Sequence, residues 1–162
     1  MPMQKTDLKA PWKIAPVDEQ SFPSLLKMMT DYQRFYGVEE PDEEKNQGFF
    51  SQFIRNQDKG RQFLCFNERG EAIGFSTLYY AFSSVRSVEN VVLNDLYVIP
   101  DYRGRGVGRS LILHALQWAR RQGKYFSLNW TTQENNLPAQ RLYDSFSEVI
   151  KSCWYHYQIE CS

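Results

Sequence analysis

A glycine-rich segment between two strand patterns constrains the fold of this chain more than any other feature. Residues Asn90–Val98 are rich in β-branched and apolar side chains, as expected of a strand. Apolar side chains then repeat with helical spacing from Val107 to Ala119, and Gly123 is placed to end the helix. A second strand pattern follows at Phe126–Thr131. A strand, a glycine-rich loop, a helix and a second strand form one βαβ unit, so we expect a parallel strand pair.

The other patterns predict antiparallel strands and further helices around this unit. Gln62–Phe66 and Ala72–Ala81 flank a turn at Asn67–Gly70 and predict a hairpin. The remaining predicted elements are a strand at Trp12–Val17, a helix from Ser21 to Gly37, a helix from Pro41 to Gly60, a helix at Leu137–Ser145 and a final strand region at Val149–Ile159. We therefore predict one mixed α/β (α+β) domain over residues 1–162, with a central, mostly antiparallel mixed sheet flanked by helices.

The charge balance limits the partners of the chain. Its 162 residues include 19 basic and 19 acidic side chains, so the formal net charge is zero. Bulk electrostatic attraction to nucleic acid or to an anionic membrane is therefore not expected, and a bound anion must be held locally. No apolar run reaches the ~18 residues of a membrane span. We expect neither a nucleic-acid nor a membrane partner.

The cysteines and histidines predict neither a disulfide framework nor a metal site. Cys65, Cys153 and Cys161 are odd in number and far apart in the sequence. His114 lies in a helical pattern and His156 in an aromatic strand pattern, which favours structural roles. A reducing compartment is the simpler assumption, so we expect a cytoplasmic protein without a bound metal ion.

The loop inside the βαβ unit has the composition of an anion site. Glycines let the backbone approach a ligand closely, and the first N–H groups of the following helix have no intrahelical partners. Three arginines add local positive charge. The predicted anion-binding residues are Arg103, Gly104, Arg105, Gly106, Val107, Gly108 and Arg109.

Spacing separates several interpretations of this loop. A Walker loop requires Gly-Lys-Ser/Thr, and no such tripeptide occurs. A dinucleotide fold requires G-x-G-x-x-G, but Arg109 stands at the third glycine, and no acid follows the second strand to bind a ribose. A glycine-rich turn with solvated arginines is the simplest alternative.

Two motifs resemble those of the GCN5-related N-acetyltransferase (GNAT) family. The segment Arg103-x-x-Gly106-x-Gly108 is similar to the Q/R-x-x-G-x-G/A loop of that family, and Asn136-x-x-Ala139-x-x-x-Tyr143 to its N-x-x-A-x-x-x-Y signature. The resemblance is close over Val91–Ser145 and extends to the earlier elements in architecture only. Within the family, Asn94–Val98 and Trp130–Thr132 resemble the Hpa-type and diamine-type acetyltransferases.

The resemblance implies a GNAT fold and acetyl transfer from acetyl-CoA to a primary amine. In the family, the strand before the glycine loop splays away from its neighbour. The backbone of Leu96, Tyr97 and Val98 is then expected to hold the acetyl carbonyl and the pantetheine arm. The glycine loop is expected to hold the pyrophosphate. Asn136 and Ala139 are expected to bind the cofactor, and Asn136 also suits a helix cap.

Catalytic groups are also implied by the resemblance. Tyr143 aligns with a tyrosine that acts as general acid to the thiolate in many members, although a half-buried structural tyrosine is the alternative. Diamine-type members carry a Glu where this chain has Asn94, and Asp95 follows it. We take Asp95 as the candidate base, with a structural role for Asp95 and deprotonation through water as alternatives. The Gly-Phe that follows the family tyrosine is replaced by Ser147-Glu148, so the next turn must differ.

The acceptor is expected to enter between the first two helices and the later strands, as in the family. The segment Gly37–Glu44 is acidic and suits a cationic amine, such as a polyamine, an amino acid or a basic side chain. A helix N-terminus explains the same acids. The tyrosines expected to line this cleft are Tyr32, Tyr36, Tyr79 and Tyr80.

The aromatic alternation near the C-terminus predicts a homodimer, in which the last strand pairs across the interface. Two other functions stay open on the sequence alone. One is a non-catalytic acyl-CoA sensing domain that lacks an effective base, and the other is a nucleotide-binding module.

Overall fold

A computed structural model describes residues 11–161 of the chain. Those residues form five strands and four α-helices, which confirms the predicted mixed α/β class. The elements are β1 (Lys13–Pro16), α1 (Phe22–Phe35), α2 (Glu43–Arg55), β2 (Gly60–Phe66), β3 (Ala72–Ser83), β4 (Val88–Val98), α3 (Val107–Gln122), β5 (Tyr125–Asn129) and α4 (Leu137–Asp144). A single 3-10 turn at Pro100–Tyr102 lies between β4 and α3.

The five strands form one sheet in chain order, β1-β2-β3-β4-β5. The three pairings from β1 to β4 are antiparallel, and β4 pairs with β5 in parallel. Helix α3 connects that parallel pair, so the predicted βαβ unit and the predicted hairpin of β2 and β3 are both confirmed.

Local chemistry explains where the helices begin and end. The Asp42 side chain caps α2 by accepting a hydrogen bond from the Lys45 N–H at 2.9 Å, and Glu43 and Glu44 occupy the first turn. Helix α3 ends at Gly123, whose left-handed conformation (φ 69°) suits a residue without a side chain.

The sheet carries a hydrophobic layer on each face. Helices α1 and α2 cover one face, where Leu25, Phe53 and the strand residue Phe75 are buried. Helix α3 covers the other face, where Leu111 packs with Ile73 of β3. Truncating a fully buried leucine such as Leu111 to alanine removes about 2–5 kcal/mol of stability. These two layers cover β4, an interior strand of the sheet, on both faces.

The chain divides into two compact units between Thr131 and Thr132. The predicted final strand at Val149–Ile159 is wrong, because residues 149–161 form no strand. Alternating aromatic residues supply strand propensity, but a strand also requires a neighbouring backbone to receive its hydrogen bonds. The single domain over residues 1–162 stays a prediction.

Across residues 11–161, no helix combines the length and the apolar character needed to cross a bilayer.

Candidate active site

Strands β4 and β5 separate halfway along β4. Their parallel pairing ends with Val92 opposite Asn129, which is also the last residue of β5. Strand β4 continues from Leu93 to Val98 and stays paired with β3 on its other side. One edge of the β4 backbone therefore opens into a gap that leads directly to the glycine loop.

The antiparallel register fixes which backbone groups point into this gap. The N–H of Ile99 donates to the carbonyl of Ile73 at 3.0 Å, which identifies these two residues as a hydrogen-bonded pair. Because such pairs alternate along the ladder, Tyr97 turns its backbone toward β3, whereas Leu96 and Val98 turn theirs toward the gap. The N–H groups of Leu96 and Val98 are thus available as donors there.

A β-bulge at Asn94 re-aims the side chains at the start of the gap. Leu93 lies opposite Leu78 and Asp95 lies opposite Thr77, so Asn94 is the extra residue on β4. In a regular strand, Leu93 and Asp95 would share a face. The bulge instead turns Asp95 toward the face covered by α1 and α2, where Tyr97 also packs.

Asp95 is a buried carboxyl group with polar neighbours. Its side chain is 7% exposed, and burial raises its pKa above the ordinary aspartate value. Hydrogen bonds from Thr77, Tyr32 and Asn94 oppose this effect by stabilising the ionised form. The Asn94 amide donates to Asp95 Oδ1 at 3.0 Å. A buried carboxylate with a raised pKa and a partner on each side has the character of a general base.

The glycine loop forms the N-terminal end of α3. Gly104 (φ 72°) and Gly106 (φ 89°) adopt the left-handed conformation that favours glycine. A Cβ atom added to Gly104 would have no atom within 4 Å apart from those of its chain neighbours, so the space beside this residue is open. The first helical hydrogen bond runs from the Ser110 N–H to the Gly106 carbonyl at 3.0 Å. The N–H groups of Val107 and Gly108 lie before this bond, where a helix has no carbonyl of its own to receive them. Open space, two adjacent N–H donors and the positive end of the helix dipole fit a diphosphate group.

The three arginines of the loop have different surroundings. Arg103 donates from Nε to the carbonyl of Val98 at 2.8 Å, and its guanidinium lies over the rings of Phe35 and Tyr97. Arg105 lies over the ring of Tyr102, 5.1 Å from the centroid. Arg109 is exposed in the first turn of α3. Arg103 therefore anchors the loop to the end of β4 with one donor and keeps further N–H groups for an anion.

Sequence reasoning missed one contact that supports the loop. The indole N–H of Trp12 donates to the Ser110 hydroxyl at 3.0 Å, and the Trp12 ring lies 3.9 Å from the Cβ position of Gly106. This contact ties the first strand region to the first turn of α3. The two residues are far apart in sequence, so no local signal indicates the pairing.

The tyrosines expected to line an acceptor cleft do not all share one face. Tyr32 lies 5.9 Å from Tyr97 and 4.9 Å from Tyr36, and Tyr79 packs against the layer formed by α1 and α2. The prediction for Tyr80 is wrong, because its ring stacks on Trp118 of α3 on the opposite face. Adjacent residues of a strand point to opposite faces, so Tyr79 and Tyr80 cannot line the same cleft.

The second unit carries the other predicted site residues on α4. Asn136 is the N-cap of this helix, and its side chain accepts a hydrogen bond from the Ala139 N–H at 3.3 Å. The predicted capping role of Asn136 is confirmed. Tyr143 lies in the last turn and is half-buried.

The cysteine of β2 is buried in the core. Burial raises the pKa of the Cys65 thiol to about 12, which keeps it protonated and unsuited to nucleophilic attack. Residues 11–161 contain no group of three His, Cys, Asp or Glu side chains arranged to hold a metal ion.

A comparison with family models identifies this arrangement. The model of the acetyltransferase (GNAT) family matches residues 25–147, which include the gap, the glycine loop and α4. The chain belongs to the GNAT family. It is an acetyl-CoA-dependent acyltransferase of the N-acetyltransferase type.

Curated relatives of this GNAT protein are N-acetyltransferases. It is 30% identical over 134 residues to the uncharacterized N-acetyltransferase YhfO of Bacillus subtilis, an alignment that covers 83% of this chain and 87% of the relative. It is 36% identical over 131 residues to the D-amino-acid N-acetyltransferase HPA3 of Saccharomyces cerevisiae, with 80% and 78% covered. The expected likeness to an Hpa-type member is therefore confirmed.

Solved structures share the fold of this GNAT protein. A crystal structure described as that of "a probable acetyltransferase" superposes with a TM-score of 0.80 at 25% identity, covering 93% of this chain and 98% of the other. The structure of AAC(6')-Iy, in complex with a bisubstrate analogue built on CoA, superposes with a TM-score of 0.72 at 20% identity, covering 91% and 99%.

Proposed function

We propose that this GNAT protein transfers the acetyl group of acetyl-CoA directly to a primary amine of a small molecule or of a basic peptide side chain. The observation that carries the proposal is the open edge of β4, which leads from the buried Asp95 to the glycine loop. A reacting carbonyl in this gap has backbone donors beside it and an anion site at its far end.

The backbone and the loop supply binding and electrostatic stabilisation. The N–H groups of Leu96 and Val98 point into the gap and serve as donors to the acetyl oxygen as negative charge develops there. Acetyl-CoA, when bound, supplies the activated thioester. The residues proposed to hold it are Leu96, Tyr97, Val98, Arg103, Gly104, Arg105, Gly106, Val107, Gly108, Arg109, Asn136 and Ala139. The backbone of Tyr97 faces β3 rather than the gap, so we propose that Tyr97 contacts acetyl-CoA through its side chain.

Asp95 is proposed as the general base. A neutral amine is required for attack, and a carboxylate within reach of its N–H removes the proton as the new N–C bond forms. Burial raises the pKa of Asp95, which makes it a stronger base than an exposed aspartate. Asn94 beside it has no basic group but orients the carboxylate through its amide.

Tyr143 is proposed as the general acid for the departing thiolate, as the C–S bond breaks. The N-x-x-A-x-x-x-Y signature on α4 supports this role. A phenol titrates near ~10 and a thiol near ~8.5, so the proton transfer is uphill by about 1.5 units, or roughly 2 kcal/mol. An enzyme site can offset an energy of this size.

The acceptor is proposed to be a cationic amine. The name of HPA3 indicates D-amino acids as acceptors of that relative. In this chain, the buried carboxylate of Asp95 and the exposed acids Glu39 and Glu40 favour a positively charged substrate before deprotonation. We further propose a cytoplasmic location, which suits the free thiols of Cys65, Cys153 and Cys161.

A panel of acceptors tests this function. Purified protein is mixed with acetyl-CoA and with polyamines, amino acids including D-enantiomers, and basic peptides, and free thiol release is followed. Release above the hydrolysis background with at least one amine supports the proposal. Tight binding of acetyl-CoA without release for any amine contradicts it and favours an acyl-CoA sensing domain.

A further inference from the structure

An exposed phenylalanine at the end of α1 lies against the first arginine of the glycine loop. Phe35 is the last residue of α1, and its side chain is 62% exposed. The Arg103 guanidinium lies 5.6 Å from the centroid of the Phe35 ring and 5.6 Å from that of the Tyr97 ring. Both distances are within the ~6 Å over which a cation is attracted to an aromatic face. Two rings, one from α1 and one from β4, therefore hold Arg103.

Two further contacts restrict this arrangement. The Nε–H of Arg103 donates to the Val98 carbonyl at 2.8 Å, which ties the side chain to the end of β4. The Tyr36 ring makes an edge contact with the Phe35 ring at 5.3 Å, which limits the orientations open to Phe35. One hydrogen bond and two ring contacts thus fix a guanidinium that its flexible stem alone would leave free to move.

The charge of Arg103 is not neutralised by these contacts. Within residues 11–161, no ion pair joins Arg103 to a carboxylate. An aromatic ring attracts the guanidinium but, unlike a carboxylate, does not cancel its charge. A guanidinium carries five N–H donors, and only the Nε–H serves the Val98 carbonyl. The other N–H groups are left for charge-assisted hydrogen bonds to a diphosphate.

We propose that Phe35 is a positioning residue for acetyl-CoA, whose ring holds the Arg103 guanidinium at the end of β4 with its remaining N–H groups available to the diphosphate. This inference rests on the proposed role of Arg103 in binding acetyl-CoA. Without the ring, the arginine side chain would populate several rotamers, and ordering it when acetyl-CoA binds would cost affinity. The inference assigns a part in cofactor binding to α1, which contributes no residue to either GNAT motif.

The first test measures the Kd of acetyl-CoA by titration calorimetry, without an acceptor amine. Phe35→Leu keeps an apolar side chain and removes the aromatic face. We expect the Kd to rise about two- to five-fold, which is the size of a cation–π contact at an exposed site. Phe35→Tyr keeps the ring and is expected to keep the wild-type Kd. Phe49→Leu removes another exposed phenylalanine, which contacts Phe50 and Phe53 on α2, and is expected to leave the Kd unchanged.

An arginine variant shows whether Phe35 acts through Arg103. Arg103→Gln removes the cation and keeps a side-chain amide, and glutamine is the other residue that the GNAT loop motif allows at this position. We expect Arg103→Gln to raise the Kd, and Phe35→Leu to raise it no further in that background. An equal rise from Phe35→Leu in both backgrounds would overturn the inference, because the ring would then act independently of Arg103. A wild-type Kd in Phe35→Leu, or an equal rise in Phe49→Leu, would overturn it as well.

A measurement on the protein without substrates separates this inference from the proposed function. The side-chain Nε–H resonances of ¹⁵N-arginine-labelled protein are recorded, and the Arg103 signal is identified by its loss in Arg103→Gln. Ring currents should move this signal upfield, and the hydrogen bond to Val98 should slow its exchange with water. A downfield move and faster exchange in Phe35→Leu, but not in Phe49→Leu, support the positioning role even if no amine is acetylated. An identical signal in Phe35→Leu and wild type refutes it even if acetyl transfer is observed.

Discussion

Asp95 shows how a single carboxyl group can serve function at the expense of stability. Its burial beneath α1 disfavours the ionised form that a base requires, and the hydrogen bonds from Tyr32, Thr77 and Asn94 restore part of that loss. A carboxylate that was fully exposed would be a weaker base, and a buried one without donors would hold its proton more tightly. The balance between burial and hydrogen bonding sets its reactivity.

This balance predicts a pH-dependent gain of stability in Asp95→Asn. Because the pKa of Asp95 is raised in the folded state, the folded protein binds this proton more tightly than the unfolded chain does. The stability from this group is therefore present below the ordinary aspartate pKa and is lost as the pH rises through the raised value. We expect the Tm of the variant, relative to wild type, to increase as the pH is raised above the ordinary aspartate pKa of about 4. A difference that stays constant or falls in differential scanning calorimetry would contradict this.

Tyr143 has its own kinetic prediction. Tyr143→Phe keeps the ring and removes the proposed acid, so kcat is expected to fall by ~10²-fold. The dissociation constant of acetyl-CoA, measured by titration calorimetry, is expected to change little. Tyr125→Phe on β5 is the matched control and should retain the wild-type kcat. A wild-type kcat in Tyr143→Phe would remove this residue from the acid role.

At the scale of elements, β4 gives the site its geometry. Its first half pairs with β3 and β5, its second half pairs with β3 alone, and the bulge at Asn94 lies where this change occurs. The open half therefore exposes backbone donors, while the bulge turns Asp95 to the face of α1 and α2. The backbone donors in the gap and the proposed base Asp95 thus come from one strand, which departs from regular pairing with β3 at a single bulge.

The N-terminus of α3 yields a prediction about its capping glycine. Gly106→Ala forces a side chain into the left-handed region, which costs about 1–2 kcal/mol. Because this residue caps the proposed pyrophosphate site, we expect a higher KM for acetyl-CoA and a lower free energy of unfolding, measured by urea denaturation.

Gly48→Ala provides the control for the capping glycine. Gly48 lies inside α2 with open space around its Cβ position, so alanine is expected to stabilise the helix by about 0.5–1 kcal/mol. Equal effects of the two substitutions would contradict the special role of Gly106.

The sequence predicted those elements whose signals are local. The caps of α2 and α3, the glycine loop and the βαβ order depend on residues close together in the chain, such as Asp42 with Lys45. The sequence also contained the evidence against Tyr80 in the cleft. Side chains alternate between the two faces of a strand, and Tyr79 and Tyr80 are adjacent on β3.

Features that depend on distant partners were not predictable in this way. The bulge at Asn94 exists only relative to the register of β3, and the contact of Trp12 with Ser110 joins distant parts of the chain. The final strand at Val149–Ile159 was predicted from propensity, although strand formation depends on a partner that propensity does not reveal.

At the scale of the whole molecule, zero net charge conceals local polarity. The arginines of the glycine loop lie at the positive end of α3, where they suit a diphosphate, and exposed acids precede α2. A neutral protein can therefore attract an anionic cofactor and a cationic acceptor to different surfaces.

The C-terminal segment leads us to propose a homodimer. Trp154, Tyr155 and Ile159 are 88%, 90% and 92% exposed, which is unusual for large apolar side chains and favours a covering partner chain. We expect a dimeric mass by light scattering at micromolar concentration, and a monomeric mass after replacement of these three residues by serine. A monomeric wild type would contradict the proposal.

The most direct test of the account is a single-turnover measurement of acetyl transfer with Asp95→Asn. Enzyme in excess over acetyl-CoA is mixed with an amine that the panel identifies as an acceptor, and thiol release and acetylated amine are quantified together. We predict one thiol per acetylated amine in the wild type, a rate lower by ~10²-fold in Asp95→Asn, and a wild-type rate in the control Asp58→Asn. Thiol release without acetylated amine, or an unchanged rate in Asp95→Asn, would contradict the account.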